Sequence, residues 1–206
     1  MSELGEDISE VHEEVGVSFT ILRDSGNISG EYCILKKNAQ VTKPFTREFF
    51  MEGKFDWNTG LVAGDVVQVS DDRVFIVMNK TPAMYQDEAI EQLGVLYKCN
   101  VSGELQRISG ENTYDDNYNA MASFAMVKDA CYGLLTESLY GHDMETDEEM
   151  ALLGLENHEF YVPHSMGVQK FDRLIPVSGE NALMVEAIKT RRYDSVDVVT
   201  LSLDRR

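Results

Sequence analysis

Catalytic and cofactor signatures are missing from this sequence. It holds no HExxH, no GxGxxG, no Walker A loop, no GxSxG elbow and no paired-cysteine zinc framework, so the chemistries those motifs support have no foothold. Cysteine is scarce: Cys33, Cys99 and Cys131 are odd in number, scattered and without CxxC spacing. That excludes a disulfide framework and points to reduced thiols or small core residues. No apolar run approaches the length of a membrane-spanning helix, and no apolar segment follows a basic opening. The expectation is a soluble protein made in the cytoplasm, with no secretory signal and no membrane partner. A period of 20 to 50 residues is also absent, which excludes solenoids, and no low-complexity linker divides the 206 residues.

Basic residues are few. With 18 Lys and Arg against 36 Asp and Glu, the formal net charge is −18. From Ile108 to Gln169 the one base is Lys128, while residues 170–206 are nearly balanced. An acidic middle cannot hold nucleic acid by neutralising phosphates, which needs clustered Lys and Arg. It reads as a solvated face or loop.

What is present is a repeated β-pattern. Residues 60–77, GLVAGDVVQVSDDRVFIV, and residues 167–185, GVQKFDRLIPVSGENALMV, both place a Gly five residues before an Asp that opens a run of β-formers, a polar turn and a strand ending in Val. Each is a β-hairpin signal, with Ser70-Asp71-Asp72 and Ser178-Gly179-Glu180-Asn181 as turns. A second β-rich run follows each, LGVLYKCN from Leu93 and DSVDVVTLSL from Asp194. Duplication and two merely similar meanders both remain open. Earlier, GVSFTILR and GEYCILKK flank DSGNIS as another hairpin, expected to pair with the one opened by Asp65. Residues 38–60, with Pro44, read as a long loop with short structure, anchored by Phe49, Phe50, Phe55 and Trp57.

After Gly103 strand periodicity fades into SGENTYDDNYN. Residues 119–139 show helical spacing, with Ala120, Phe124, Val127, Cys131, Leu134 and Leu135 on one face, and a short helix from Asp147 is expected to follow. The fold class expected is mainly β, a small β-barrel or sandwich built of hairpins, with a helical acidic insertion, α+β overall. The expected organisation is an acidic flexible arm over 1–15, a β-barrel-like domain over 16–109, and over 110–206 a helical acidic segment followed by a C-terminal β-hairpin unit. Because 1–15 carries six acids and no base, a short amphipathic helix is the alternative there.

Candidate chemistry is thin. His142, His158 and His164 with Asp143 and Glu159 are the best metal set, but no His pair stands at i,i+3 or i,i+4. They read as exposed polar residues, and no metal, cofactor or catalytic residue is assigned. The interface candidates are Lys189, Arg191, Arg192 and Tyr193 at a turn between strands, with Arg205 and Arg206 at the end, since Arg and Tyr are frequent interface anchors. Facing another copy's acidic middle, Arg191 and Arg192 would make a head-to-tail contact of the kind that closes into a ring.

Residues 59–82 and 93–107, with 172–206, resemble the head-closure, or stopper-like, proteins of the neck of tailed bacteriophages. The carrying features are Gly64-Asp65 at a strand opening, hairpins running into FIVM and LMVEAI, and closing strands ending in Cys99-Asn100 and Asp204-Arg205. The pieces that carry the resemblance make up a little over a third of the chain. It implies a non-enzymatic virion protein at the head–tail junction, assembled as a homo-oligomeric ring between a portal or adaptor protein and a tail terminator or tail tube protein. Double-stranded DNA would pass without specific binding, retained or released by the ring. Many such proteins are single barrels, so stopper, adaptor and tail-completion or minor tail positions all stay open, beside an acidic mimic of nucleic acid. On the ring reading Asp143, Glu145, Asp147, Glu148 and Glu149 are candidates to line the lumen, where like charge would keep DNA from sticking.

Overall fold

Alternation of Phe19 and Ile21 with polar neighbours makes the first hairpin, and a computed structural model of the protein shows how it closes. The structure describes residues 3–37, 49–114, 120–137, 158–179, 181–190 and 193–204. After helix α1 (Glu3–Val15) come β1 (Val17–Leu22), β2 (Ile28–Lys37), β3 (Phe50–Asp56), β4 (Val66–Val69), β5 (Val74–Tyr85) and β6 (Glu88–Lys98). They form a closed antiparallel barrel in the order β1-β2-β3-β6-β5-β4. The expected pairing of the first two hairpins is present: β1 lies against β4, with Phe19 opposite Val69 and Ile21 opposite Val67.

The remaining strands are β7 (Val101–Tyr114), β8 (Ala120–Glu137), β9 (His158–Pro163), β10 (Arg173–Pro176), β11 (Leu183–Lys189) and β12 (Val196–Leu203). They close a second barrel in the order β7-β8-β9-β12-β11-β10, the first order advanced by six. The two compact units are Met1–Cys99 with Tyr193–Val196, and Asn100–Arg192 with Asp197–Arg206.

Each barrel buries its own core. Phe19, Ile21, Phe55, Leu61, Val67, Phe75, Val77 and Leu96 fill the first, and Leu105, Phe160, Val162, Leu174, Leu183, Val185 and Leu201 the second. At about 1.5–3 kcal/mol for each fully buried large aliphatic or aromatic side chain, these cores supply the main driving force. Both seat an aromatic ring over glycine. A Cβ on Gly53 would lie 2.6 Å from the Phe55 ring, and one on Gly133 would collide with the ring of Phe160.

Two expectations are corrected, and the N-terminal stretch takes the helical alternative. Residues 120–137 are strand rather than helix, paired with β7 from Ala120 to Gly133 and with β9 from Leu134 to Glu137. The register slips where Val127 has no opposite residue and where Asp129 and Ala130 share the single residue Glu104, and these bulges break strict alternation into the three- and four-residue spacing of a helix. Strand β7 runs to Tyr114, through residues where strand periodicity fades. Residues 3–15 are helical, with Gly5 against Trp57, His12 buried and Ser9 bonded to Asp56 at 2.5 Å. The one α-helix among the described residues is therefore N-terminal, and their architecture is mostly β, two six-stranded antiparallel barrels. Strand β3 is the short structure within the stretch read as a long loop. The acidic helix expected from Asp147 falls outside the described residues.

Because Phe160 already occupies the space over Gly133, Gly133→Ala overpacks the second core. The expected cost is about 2 kcal/mol in denaturant unfolding, and Phe160→Leu in the same chain should recover part of it.

Candidate functional site

The Gly and Asp of the repeated pattern prove to be two corners of one polar clasp, present in each barrel. In the first, Arg23, just past β1, forks onto Asp65: Nε donates to Oδ1 at 2.8 Å and Nη2 to Oδ2 at 2.5 Å. Nη2 also donates to the Gly60 carbonyl at 2.8 Å, while Asp65 Oδ2 accepts the Val62 N–H at 2.7 Å. In the second, Arg107 binds Asp172 through Nε at 2.8 Å and Nη2 at 2.8 Å, Nη2 reaches the Gly167 carbonyl at 2.9 Å, and Asp172 Oδ2 accepts the Gln169 N–H at 2.8 Å. Arg23, Gly60, Val62 and Asp65 thus correspond one for one to Arg107, Gly167, Gln169 and Asp172.

The backbone follows the same correspondence. Val77 N–H donates to Asp65 O and Val185 N–H to Asp172 O, both at 2.9 Å. Ser70 N–H reaches Ser18 O as Val177 N–H reaches Ser102 O. Both fifth strands, β5 and β11, carry a bulge after the matching valine, between Val77 and Asn79 and between Val185 and Ala187. The residues closing each barrel's sequence, Cys99 and Asp204, donate their N–H groups to Val74 and Ala182 at 2.8 Å.

The carboxylates are buried, with side-chain exposures of 8% for Asp65 and 1% for Asp172, whereas the arginines keep 28% and 33%. A buried carboxylate is stable only when its lone pairs are filled, and each Asp accepts three hydrogen bonds here. The hydrogen bond that Arg23 donates to Asp65 holds its guanidinium above its ordinary pKa against the opposing effect of burial, and the one donated to Asp172 does the same for Arg107. Each clasp pins a loop whose next residue after the Gly, Leu61 or Val168, is buried in the barrel core.

A second polar pair lies in the second barrel. His164, on a single 3₁₀ turn (His164–Met166), places Nδ1 3.0 Å from Oδ2 of Asp197, whose side chain is almost fully buried while the imidazole is mostly exposed. A buried carboxylate that orients an exposed imidazole is an arrangement able to support proton transfer or ligation. Among the described residues, no group of three His, Cys, Asp or Glu could hold a metal ion. His158 and Glu159 lie on β9, apart from that pair, and His142 and Asp143 are outside the described residues.

Of the interface candidates, Lys189 ends β11 with Nζ 3.0 Å from Glu159 Oε1 of its own barrel, and Tyr193 belongs to the first unit. Arg191, Arg192, Arg205 and Arg206 lie outside the described residues, as do Asp143, Glu145, Asp147, Glu148 and Glu149. The sequence reading missed Arg23 and Arg107, though each stands five residues after a serine that is matched between the barrels, Ser18 and Ser102. It also missed Asp197 as the partner of His164. Among the described residues no helix is long and apolar enough to cross a membrane. The chain matches no family model, no curated protein and no solved structure.

Arg107→Met leaves Asp172 buried without its partner. The expected loss is about 2–3 kcal/mol, below the usual range for broken buried pairs because the arginine is partly solvated. Arg107→Lys should recover only part of it, since an ammonium cannot make the fork. Hydrogen exchange should assign the Arg107→Met loss to the second barrel, and that of Arg23→Met to the first.

Burial raises the Cys33 and Cys131 thiols from 9.0 to about 12. The folded chain therefore keeps protons that the unfolded chain sheds. This contribution to stability is complete below about pH 9 and is lost as the pH rises toward 12. Chemical unfolding measured between pH 8 and 11 should show the decline, and replacing both cysteines with alanine should flatten it.

Proposed function

We propose that this protein is a structural, non-enzymatic component of the neck of a tailed bacteriophage. In this role it forms a homo-oligomeric ring at the head–tail junction, between a portal or adaptor protein and a tail terminator or tail tube protein, and helps retain or pass the genome. The observation that carries the reading is the equivalence of the two clasped barrels. The pieces that resemble head-closure proteins, the Gly-Asp strand opening, the following hairpin and the closing strand, occupy matching places in both barrels. Rigid closed barrels suit a part that works by being held between neighbours, because closure removes the free sheet edges that cause indiscriminate pairing.

The acidity of the chain supports the same reading, since a net charge of −18 repels passing DNA rather than binding it. Lys189, engaged by Glu159, contributes through packing of its stem more than through its charge, so the weight of a tip contact falls on Arg191, Arg192 and Tyr193.

Electron microscopy of virions decorated with antibody against this protein tests the proposal. Label at the head–tail junction is the expected result. Label along the tail would move the protein to a tail-completion or minor tail role, and virions without label would overturn the virion assignment.

A further inference from the structure

The equivalence of the barrels exposes one element that the second has and the first lacks. Ser18 pairs with Tyr32 in the first barrel and the matching Ser102 with Tyr132 in the second, so the enclosed hairpins span 32 − 18 = 14 and 132 − 102 = 30 positions, a difference of 16. The extra residues are not a slack loop. They continue β7 past Arg107 to Tyr114 and begin β8 at Ala120, forming a two-stranded arm in which Ile108 opposes Phe124 and Asn112 opposes Ala122.

This arm outruns its neighbours. β10 accompanies β7 only from Gly103 to Gln106, and β9 accompanies β8 only from Leu134 to Glu137. Among the described residues no third strand lies against either edge of the arm. At its base the arm is held by Arg173, whose guanidinium stands 5.0 Å from the Phe124 ring centroid. Two strands alone are marginally stable in water, so an arm of this length gains from a further strand.

The two edges differ. On β7, Ser109, Gly110 and Glu111 oppose the single residue Ser123, with Gly110 at φ 79°, and this bulge interrupts the edge. On β8, Ala120 to Met126 reads AMASFAM, a regular stretch with no charge, proline or glycine. Ala122, Ala125 and Met126 are exposed along it. The β5–β6 hairpin of the first barrel provides a contrast. It too projects beyond its neighbours, but Lys80 and Pro82 stand in β5, the residue types that keep an edge from accepting strands.

We infer that the β8 edge from Ala120 to Met126 is a self-docking surface, which takes the same edge of a second copy of this chain in antiparallel register. The second copy offers only one regular, unguarded edge among its described residues, and that edge is again β8. In a chain of net charge −18 most surfaces of two copies repel, whereas this stretch brings no charged side chain to its own counterpart. The contact is isologous and closes at two copies, unlike the head-to-tail contact of a ring. It does not rest on the neck reading.

Sedimentation equilibrium of the full chain over a concentration series tests it, beside two variants. One is Ala125→Lys. In the other, residues 108–127 are replaced by Asp-Ser-Gly-Asn, the turn that joins Arg23 to Ile28 in the first barrel. The wild type should run at twice the chain mass and both variants at the chain mass, with the shortened chain still unfolding in a cooperative transition, at a midpoint lowered by the loss of Val127 from the core and of the self-association. Hydrogen exchange should show amides of residues 120–126 losing protection on dilution of the wild type while barrel amides do not. A monomeric wild type overturns the inference. So does any assembly, dimer or larger, that survives removal of the arm, and a larger one would leave the ring proposal standing by itself.

Discussion

Everything in each barrel depends on a buried carboxylate that cannot be left alone. Asp65 and Asp172 sit at the point where the chain must turn from a loop into a short fourth strand, with too few ladder hydrogen bonds to hold that strand unaided. By taking an arginine that lies just past the first strand in one barrel and within it in the other, and an N–H from its own loop, each carboxylate joins three separated segments: strand one, the loop and, through its own carbonyl, strand five. Leu61 and Val168 can fill the barrel only because that loop is fixed. The polar contact and the apolar plug therefore depend on each other, which accounts for the paired spacing of Gly and Asp in the sequence.

Closure has a second effect, on where the molecule can meet anything else. A barrel of six paired strands offers side chains and loops but little free backbone, so the segments that escape closure are the ones left to make contacts. In the first barrel this is the β5–β6 hairpin, with Met84 and Tyr85 exposed at its tip, where Gln86 and Asp87 both take positive φ. In the second it is the longer β7–β8 ribbon. Specificity on such a scaffold is carried by hairpin ends rather than by a cavity. The hollow of about 340 Å³ along Lys36, Lys54, Asn79 and Leu93 is an open furrow on the outside of the first barrel.

The hairpins were legible because short-range signals specify them: alternating valines around Ser70-Asp71-Asp72 and a Gly-Ser-Asn turn between Leu22 and Ile28. The repeat was legible for the same reason, since Gly60 and Asp65 lie close enough in sequence for their spacing to survive. Arg23 and Arg107 were not legible as their partners, because they stand 42 and 65 positions away and an exposed-looking arginine gives no local sign of its target. Strand β8 failed for a different reason. Its bulges gave Phe124, Val127 and Cys131 the spacing of a helical face, and Gly133, which lowers helix propensity, was a truer guide, being the space that Phe160 occupies.

Two copies of one design inside a single chain also act as controls for each other. At the residue before each clasp aspartate the backbone takes positive φ, 87° at Gly64 and 71° at Phe171. Glycine adopts that conformation freely, whereas a bulky side chain pays about 1–2 kcal/mol for it. Phe171 nevertheless stands there, half-exposed, with the Lys170 ammonium 5.0 Å from its ring centroid. The first copy has the relaxed form of this corner and the second a strained one, so the two barrels are unequal in reserve stability at the same position of the same motif. A designer seeking a sturdier chain would transplant the corner of the first barrel into the second, and would learn from any loss of function what the aromatic ring is kept for.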